Sequence, residues 1–315
     1  MTVPVRLALV GAGMMSAHHA RVVAESARAR LDVVIDSDVR RATSLASEMG
    51  CSVAQSLDAA KRCDGVIVAS STESHVEIAL ELMAAGRPLL IEKPLAPDVE
   101  GVKRILKESE SLGVPIMCGF VERFNPVITS ALQKIDSPPV HIVALRHSPF
   151  TPRATTSVVH DLLIHDIDLA VRLTGGAGVV HAYGTVSSPR TTIVDISDCS
   201  IHFGTGTVAT LSASRASQRK VRDIYIATSD SLIELDLLRA NITFYRHVHH
   251  EQVANGSTTY RAETVVDIPF VRHSGEPLAL QLDHFLQLID GKADPDAERA
   301  TLLAPHEIAA LVEEG

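Results

Sequence analysis

Val5-Arg-Leu-Ala-Leu-Val10 runs directly into Gly11-Ala-Gly13-Met14-Met15-Ser16, and a helix-forming stretch follows to about Arg28. An apolar run without polar alternation suits a strand covered on both faces. Strand, glycine turn and helix in this order constrain the fold more than any other segment. They start a parallel sheet, and the next strand must return through a helical crossover. Gly11 permits the tight turn, and Gly13 lets a pyrophosphate approach the backbone N–H groups where Met14 and Met15 open the helix. The place of a third glycine is taken by Ser16, still small enough for close helix–strand packing. Such turns also join strands and helices in plain α/β proteins. The next run, Leu31–Ile35, sharpens the reading because it ends in Asp36. An acid at that strand tip is placed to bind both hydroxyls of an adenosine ribose and to repel a 2′-phosphate, which favours NAD over NADP. Arg40 and Arg41 lie a turn further on. Asp36 and Asp38 would equally serve as helix N-caps.

The alternation continues with helix 38–49, a strand near 52–53, helix 56–61, strand 65–69, helix 73–85, strand 88–91, helix 98–112 and strand 115–118. Repeated βα units predict a doubly wound parallel sheet with helices on both faces. Two strand ends carry polar groups. Ser70, Ser71, Thr72 and His75 follow one strand and fall where the nicotinamide side of a dinucleotide would lie, although Ser71 and Thr72 also read as caps of the following helix. Strand 88–91 leads into Glu92-Lys93-Pro94, which aims a lysine into the crevice at the carboxyl ends of the strands.

After Gly119 the pattern changes. Strands expected at 140–147, 179–187, 197–203, 207–214, 221–228, 231–236, 241–246 and 264–268 have no helices between most of them. That predicts an α+β domain with a large, open, mostly antiparallel sheet. The chain therefore reads as residues 1–119 in one domain and 120–315 in a second, with C-terminal helices near 279–290 and 305–314 able to pack back on the first. The stretch Val158–Leu173 (VVHDLLIHDIDLAVRL) predicts a helix buried on several sides. Its polar residues Asp161, His165, Asp168 and Arg172 share one stripe at helical spacing. A carboxylate and an imidazole one turn apart make a general base and its neighbour, or equally a buried pair that only satisfies itself. The loop 148–156, with Arg153, precedes this helix and could cover a substrate.

Composition excludes several classes. A net charge of -9 gives no whole-molecule attraction for polyanions, and 3% aromatic content with no Trp leaves no stacking surface for nucleic acid. No apolar stretch would span a bilayer, and no signal peptide is visible before the glycine turn. Four separated cysteines without a CxxC look like reduced small hydrophobes, so a cytoplasmic protein is expected. His160, His165, Asp166 and Asp168, like His247, His249 and His250, are metal-capable types without a zinc spacing, so no metal is expected. Arg215, Arg219, Lys220 and Arg222 cluster on an expected hairpin. They could take a diphosphate, although a solvated tip is the simpler reading.

The glycine turn GAGMMS, the segment SSTESHVEIALELMAAGRPLLIEKPLA and the D-x-x-x-H helix together resemble the glucose-fructose oxidoreductase/inositol dehydrogenase (Gfo/Idh/MocA) family over essentially the whole chain. The EKP tripeptide is its most specific mark. The resemblance implies an NAD(P)-dependent oxidoreductase with a Rossmann domain followed by an α+β domain whose open sheet forms dimers or tetramers. It assigns Glu92 and Lys93 to the cofactor side, Lys93 to the reacting hydroxyl, and Asp161 and His165 to the substrate helix. The ERFNP segment, with Glu122 and Arg123 as substrate contacts, resembles the branch that oxidises nucleotide-activated sugars, typified by UDP-N-acetylglucosamine 3-dehydrogenases. The expected reaction oxidises a secondary hydroxyl of such a sugar, with His165 as base, Asp161 orienting it and Lys93 stabilising the alkoxide. Myo-inositol or a free monosaccharide is the alternative substrate. A non-catalytic NAD-binding sensor is the alternative of a different class.

Overall fold

A computed structural model describes residues 3–150, 156–176, 178–189, 192–254, 257–271 and 275–314; side chains at 249–254 and 257–261 lie outside this description. The chain forms two compact units, Met1–Phe124 with Gly275–Ala310, and Asn125–Ser274 with Leu311–Gly315.

In the first unit the expected alternation is present: β1 (Val5–Val10), α1 (Met14–Glu25), β2 (Ala29–Ile35), α2 (Val39–Met49), β3 (Ser52–Ala54), β4 (Gly65–Val68), α3 (His75–Ala84), β5 (Leu89–Ile91), α4 (Val99–Leu112) and β6 (Ile116–Cys118). The sheet order is β3-β2-β1-β4-β5-β6, with every neighbouring pair parallel. This doubly wound order reverses direction between β1 and β4, where the carboxyl ends of the strands leave a crevice. Local chemistry sets the helix ends. Asp38 accepts from the amides of Arg40 and Arg41, and Asp98 from that of Gly101, as N-caps should. Gly50 and Gly113 close α2 and α4 in the left-handed conformation. The helix expected at 56–61 is instead a short 3-10 turn, Ala60–Arg62, because the segment offers too little apolar surface for a full helix.

The second unit carries α5 (Pro126–Leu132), β7 (His141–His147), α6 (Ile164–Leu173), β8 (Val179–Ser187), β9 (Ile196–Phe203), β10 (Val208–Ser214), β11 (Val221–Ala227), β12 (Leu232–Asp236), β13 (Asn241–Ala254) and β14 (Ser257–Asp267). Its eight strands lie in the order β14-β13-β12-β11-β7-β10-β9-β8, antiparallel except for the β7–β10 pair. On one face Ile142, Ala144, Leu211, Ile224, Ile233 and Ile242 are buried; alternate residues such as Val143, Leu145, Tyr225 and Tyr245 remain half-exposed. Strands β13 and β14 are much longer than the expected 241–246 and 264–268. His247, just beyond the strand expected at 241–246, is paired with Thr264 well inside the ladder. Polar alternation hid these strands, although the Asn255-Gly256 dipeptide is a hairpin signal.

The expected cut after Gly119 is displaced. The unit boundary falls after Phe124, and 275–310 clusters with the first unit. The reason is burial: Leu278, Leu282, Phe285 and Leu286 of α7 (Pro277–Ile289) share a core with Leu7, Leu9, Ala20 and Val23. Arg21 reaches Glu276 at 2.6 Å, and Arg28 binds Asp283 and Asp290. α8 (Pro295–Ala300), unforeseen, is capped by Asp294, and α9 (Leu303–Glu314) closes the chain.

The helix expected at 158–173 begins as a π turn, Val159–Leu163, before continuing as α6. Against the sheet, Arg146 of β7 makes a two-pronged contact with Asp166, Nε–Oδ2 2.8 Å and Nη2–Oδ1 2.7 Å, both residues buried. Removing one partner strands the other charge. Asp166→Ala should lower the unfolding free energy by about 3–5 kcal/mol, while Arg146→Met with Asp166→Leu should recover most of it. Denaturant melts of the three proteins test this, and a single variant as stable as wild type would contradict it.

Candidate active site

In the first unit the crevice between β1 and β4 is about 520 Å³ and is lined by Gly11, Gly13, Asp36, Arg41, Ser70 and Ser71 among others. Gly11 sits at φ 107, and a Cβ there would lie 2.4 Å from the Ala69 carbonyl oxygen. Only glycine lets the ends of β1 and β4 come this close. At Gly13 a Cβ would meet nothing within 4 Å, so the start of α1 is open to a ligand. Ser16 is fully buried and bonds the Gly13 amide and the Ala69 carbonyl, filling the third-glycine place without blocking the turn.

Asp36 does more than face the crevice. Its Oδ2 accepts from the Ala12 amide at 2.7 Å and its Oδ1 from the Asp38 amide at 2.7 Å, with Arg41 Nη2 at 3.4 Å. One carboxylate thus shapes the glycine turn and presents an acid at the β2 tip. An open helix start, an acid at that tip and a roomy crevice fit a dinucleotide. Met14 is exposed at the head of α1 and Met15 is half-buried behind it. The Ser70 hydroxyl pairs with that of Ser74 at 2.8 Å; Ser71 precedes a 3-10 turn, Thr72–Ser74, whose last amide bonds the Ser71 carbonyl.

His75 is not a crevice residue. It is fully buried, with Nδ1 3.1 Å from the Pro94 carbonyl and Nε2 3.2 Å from that of Ser70. Burial pulls its pKa below the ordinary imidazole value. A neutral ring donates to one of these carbonyls; only the cation donates to both.

His75 is one of three buried histidines around the Glu92–Leu95 turn. His306 donates Nδ1–H to Leu302 and accepts the Leu95 amide at Nε2, 2.9 Å. His19 of α1 meets Glu92 Oε1 at 2.7 Å. Lys93 is half-buried at the apex, its amide donating to Glu92 Oε2 at 3.2 Å. Burial pushes the Glu92 carboxyl up, but the His19 hydrogen bond and charge, with Lys93, outweigh it and hold the group below the usual carboxylate range.

Arg123, expected to face substrate, is a buried anchor. Its Nη1 bonds Glu298 at 3.0 Å and Thr301 Oγ1 at 2.8 Å, and its guanidinium lies 4.8 Å from the Phe120 ring centre. It holds α8 in place. Glu122, in the same 3-10 turn (Val121–Phe124), is half-buried. Arg153 lies outside the described residues.

In the second unit Asp161 lies in the π turn and His165 in the first turn of α6, the imidazole buried and the carboxylate 42% exposed. The π turn shifts the phase of Asp161 relative to His165, Asp168 and Arg172, which follow in the regular α6. Arg215, expected on a solvated hairpin, is 2% exposed: its Nη2 lies 3.5 Å from Asp161, its Nη1 3.8 Å from Asp195, and it donates to the Thr156 carbonyl. Arg219 and Lys220 are exposed as expected. Among the described residues no cluster of three or more His, Cys, Asp or Glu could hold a metal, and no helix is long and apolar enough to cross a membrane.

Residues 5–120 match the oxidoreductase family with NAD-binding Rossmann fold, and residues 139–233 match the GFO/IDH/MocA C-terminal domain. The chain belongs to the Gfo/Idh/MocA oxidoreductase family. It is 30% identical to UDP-N-acetylglucosamine 3-dehydrogenase from Acidithiobacillus ferrooxidans, covering 98% of this chain and 97% of that protein. A solved structure of the Acidithiobacillus enzyme superposes with a TM-score of 0.84 at 28% identity, covering 99% of both chains. Inositol 2-dehydrogenase from Rhizobium meliloti is also 30% identical, over 54% of this chain and 55% of its own length.

The crevice yields a test. Wild-type protein should bind NAD more tightly than NADP. Asp36→Ala should weaken NAD, because the turn loses its carboxylate, and should narrow the preference because Arg41 then faces a 2′-phosphate unopposed. Titration calorimetry with both nucleotides checks this; equal wild-type affinities would contradict it.

Proposed function

We propose that this Gfo/Idh/MocA oxidoreductase oxidises a secondary hydroxyl of a nucleotide-activated sugar, with UDP-N-acetylglucosamine, oxidised at carbon 3, as the first candidate. The observation that carries the reading is extent. Similarity to the UDP-N-acetylglucosamine enzyme runs through both units, whereas the inositol dehydrogenase aligns over about half the chain. Myo-inositol stays the competing substrate, favoured by that shared half.

The residues present divide the work. Backbone amides at the start of α1 would hold the pyrophosphate, and Asp36 the adenosine ribose. NAD, when bound, supplies the hydride acceptor. His165, buried on α6, accepts the hydroxyl proton as its carbon is oxidised. Asp161, one turn earlier and 3.5 Å from the Arg215 guanidinium, stabilises the imidazolium. Lys93 places an ammonium where negative charge develops on the substrate oxygen. A non-catalytic sensor would need neither a base nor a cation at these places. The half-exposed face of the second unit's sheet, with Val143, Leu145, Tyr225 and Tyr245, suits pairing with a second copy of the chain, as a dimer or within a tetramer. Four free cysteines accord with a reducing, cytoplasmic setting.

Two measurements follow from this reading. kcat/KM for UDP-N-acetylglucosamine should exceed that for myo-inositol; the reverse order would hand the site to the cyclitol. His165→Ala should slow single-turnover hydride transfer by about 10²–10⁴-fold with NAD affinity nearly unchanged. A folded His165→Ala protein with wild-type transfer would remove the base from this role.

A further inference from the structure

We propose that His19 is a positioning residue for Lys93: from the second turn of α1 it fixes the Glu92 carboxylate, which in turn fixes the lysine turn. The inference rests on the reading of Lys93 as the group that stabilises the substrate oxygen. It adds a residue that touches neither substrate nor cofactor.

Glu92 is 6% exposed and His19 2%, so neither can turn to water for a partner. Glu92 Oε1 takes His19 Nε2 at 2.7 Å, and Oε2 takes the Lys93 amide at 3.2 Å. A carboxylate can only accept, so in this short bond His19 Nε2–H is the donor to Glu92 Oε1. On the far side, Gly119 closes the space: a Cβ there would come within 2.7 Å of Glu92 Oε2. The carboxylate is therefore held from two sides, by an imidazole of α1 and by the backbone at the end of β6. Its second oxygen is left to orient the lysine amide. His75 and His306 hold the following two residues by their backbone, at the Pro94 carbonyl and the Leu95 amide. His19 instead reaches the turn through the Glu92 side chain, next to Lys93.

The same helix is capped by Gly13, which lines the crevice. His19 thus ties the proposed pyrophosphate end of the crevice to the lysine, through the first two turns of α1 and one carboxylate. Loss of the bond should displace the lysine more than it disturbs the crevice. Its neighbour His18 is exposed and provides a surface control.

The test uses His19→Leu, His19→Gln and His18→Leu, each in the wild-type and the Lys93→Ala background. Single-turnover hydride transfer is followed by NADH absorbance, NAD affinity by calorimetry and folding by thermal melting. In the wild-type background His19→Leu should slow transfer by about 10–10²-fold, the usual cost of a misplaced group, while the NAD Kd stays within about threefold. His19→Gln, which still offers a donor, should recover part of the rate, and His18→Leu should match wild type. In the Lys93→Ala background His19→Leu should cause no further slowing, because the two act as one unit. Should His19→Leu fail to fold, Glu92→Gln keeps the shape without the charge, and the same non-additive pattern is expected. Equal fractional slowing in both backgrounds, or loss of rate and NAD affinity in step, would make His19 a packing residue and overturn the inference. Wild-type transfer in Lys93→Ala would overturn the role of Lys93 as well; a slow Lys93→Ala beside an unaffected, folded His19→Leu would overturn the inference alone.

Discussion

A charge removed from water must be met by another group, and that requirement organises both units. In the first, Glu92 is buried at the end of β5 and is met by His19 and by the Lys93 amide. In the second, Asp166 is buried on α6 and is met by both arms of Arg146. Each pair sits beside a residue proposed to act on substrate, Lys93 after Glu92 and His165 before Asp166. Such pairs contribute little net stability compared with apolar packing, yet they fail badly when one member is lost. Their use next to the reactive side chains fits a role in orientation, where a displacement of an ångström costs more than a few tenths of a kcal/mol of stability.

The dinucleotide crevice shows a related economy. Asp36 accepts the Ala12 and Asp38 amides, so the acid that would read the ribose also sets the turn that would face the pyrophosphate. On the proposed reading affinity and nucleotide preference are joined in one residue, so a substitution chosen to change one should disturb the other. Arg41, held near Asp36 at 3.4 Å, is the residue through which that balance would shift toward a phosphorylated ribose.

Much of this was legible in the residues alone, because periodicity and punctuation are local. The βα alternation, the glycine turn, the acid after β2 and the change to successive strands all lie within short windows. What was not legible depends on partners far away in sequence. His19 and Glu92 are 73 residues apart, and nothing in Ala-His-His-Ala distinguishes the buried histidine from its exposed neighbour. Arg123 read as a substrate contact and Arg215 as a hairpin cation because their acidic partners, Glu298 and Asp161 with Asp195, are brought to them only by the fold. His75 looked like a crevice residue from its place after a strand, but its ring turns inward to two carbonyls. The π turn at Val159–Leu163 was hidden because its composition suits an ordinary helix. The reach of β13 and β14 was hidden because polar alternation resembles a loop.

The proposed chemistry is that a C–H hydrogen of the sugar leaves as hydride for NAD while His165 takes only the hydroxyl proton. The most direct measurement uses UDP-N-acetylglucosamine deuterated at carbon 3, turned over once in ordinary water, with mass spectrometry of the reduced nicotinamide. The account predicts one deuterium in every NADH formed and slower transfer than with the unlabelled sugar. NADH without deuterium, or no turnover of this sugar beside turnover of myo-inositol, would contradict it.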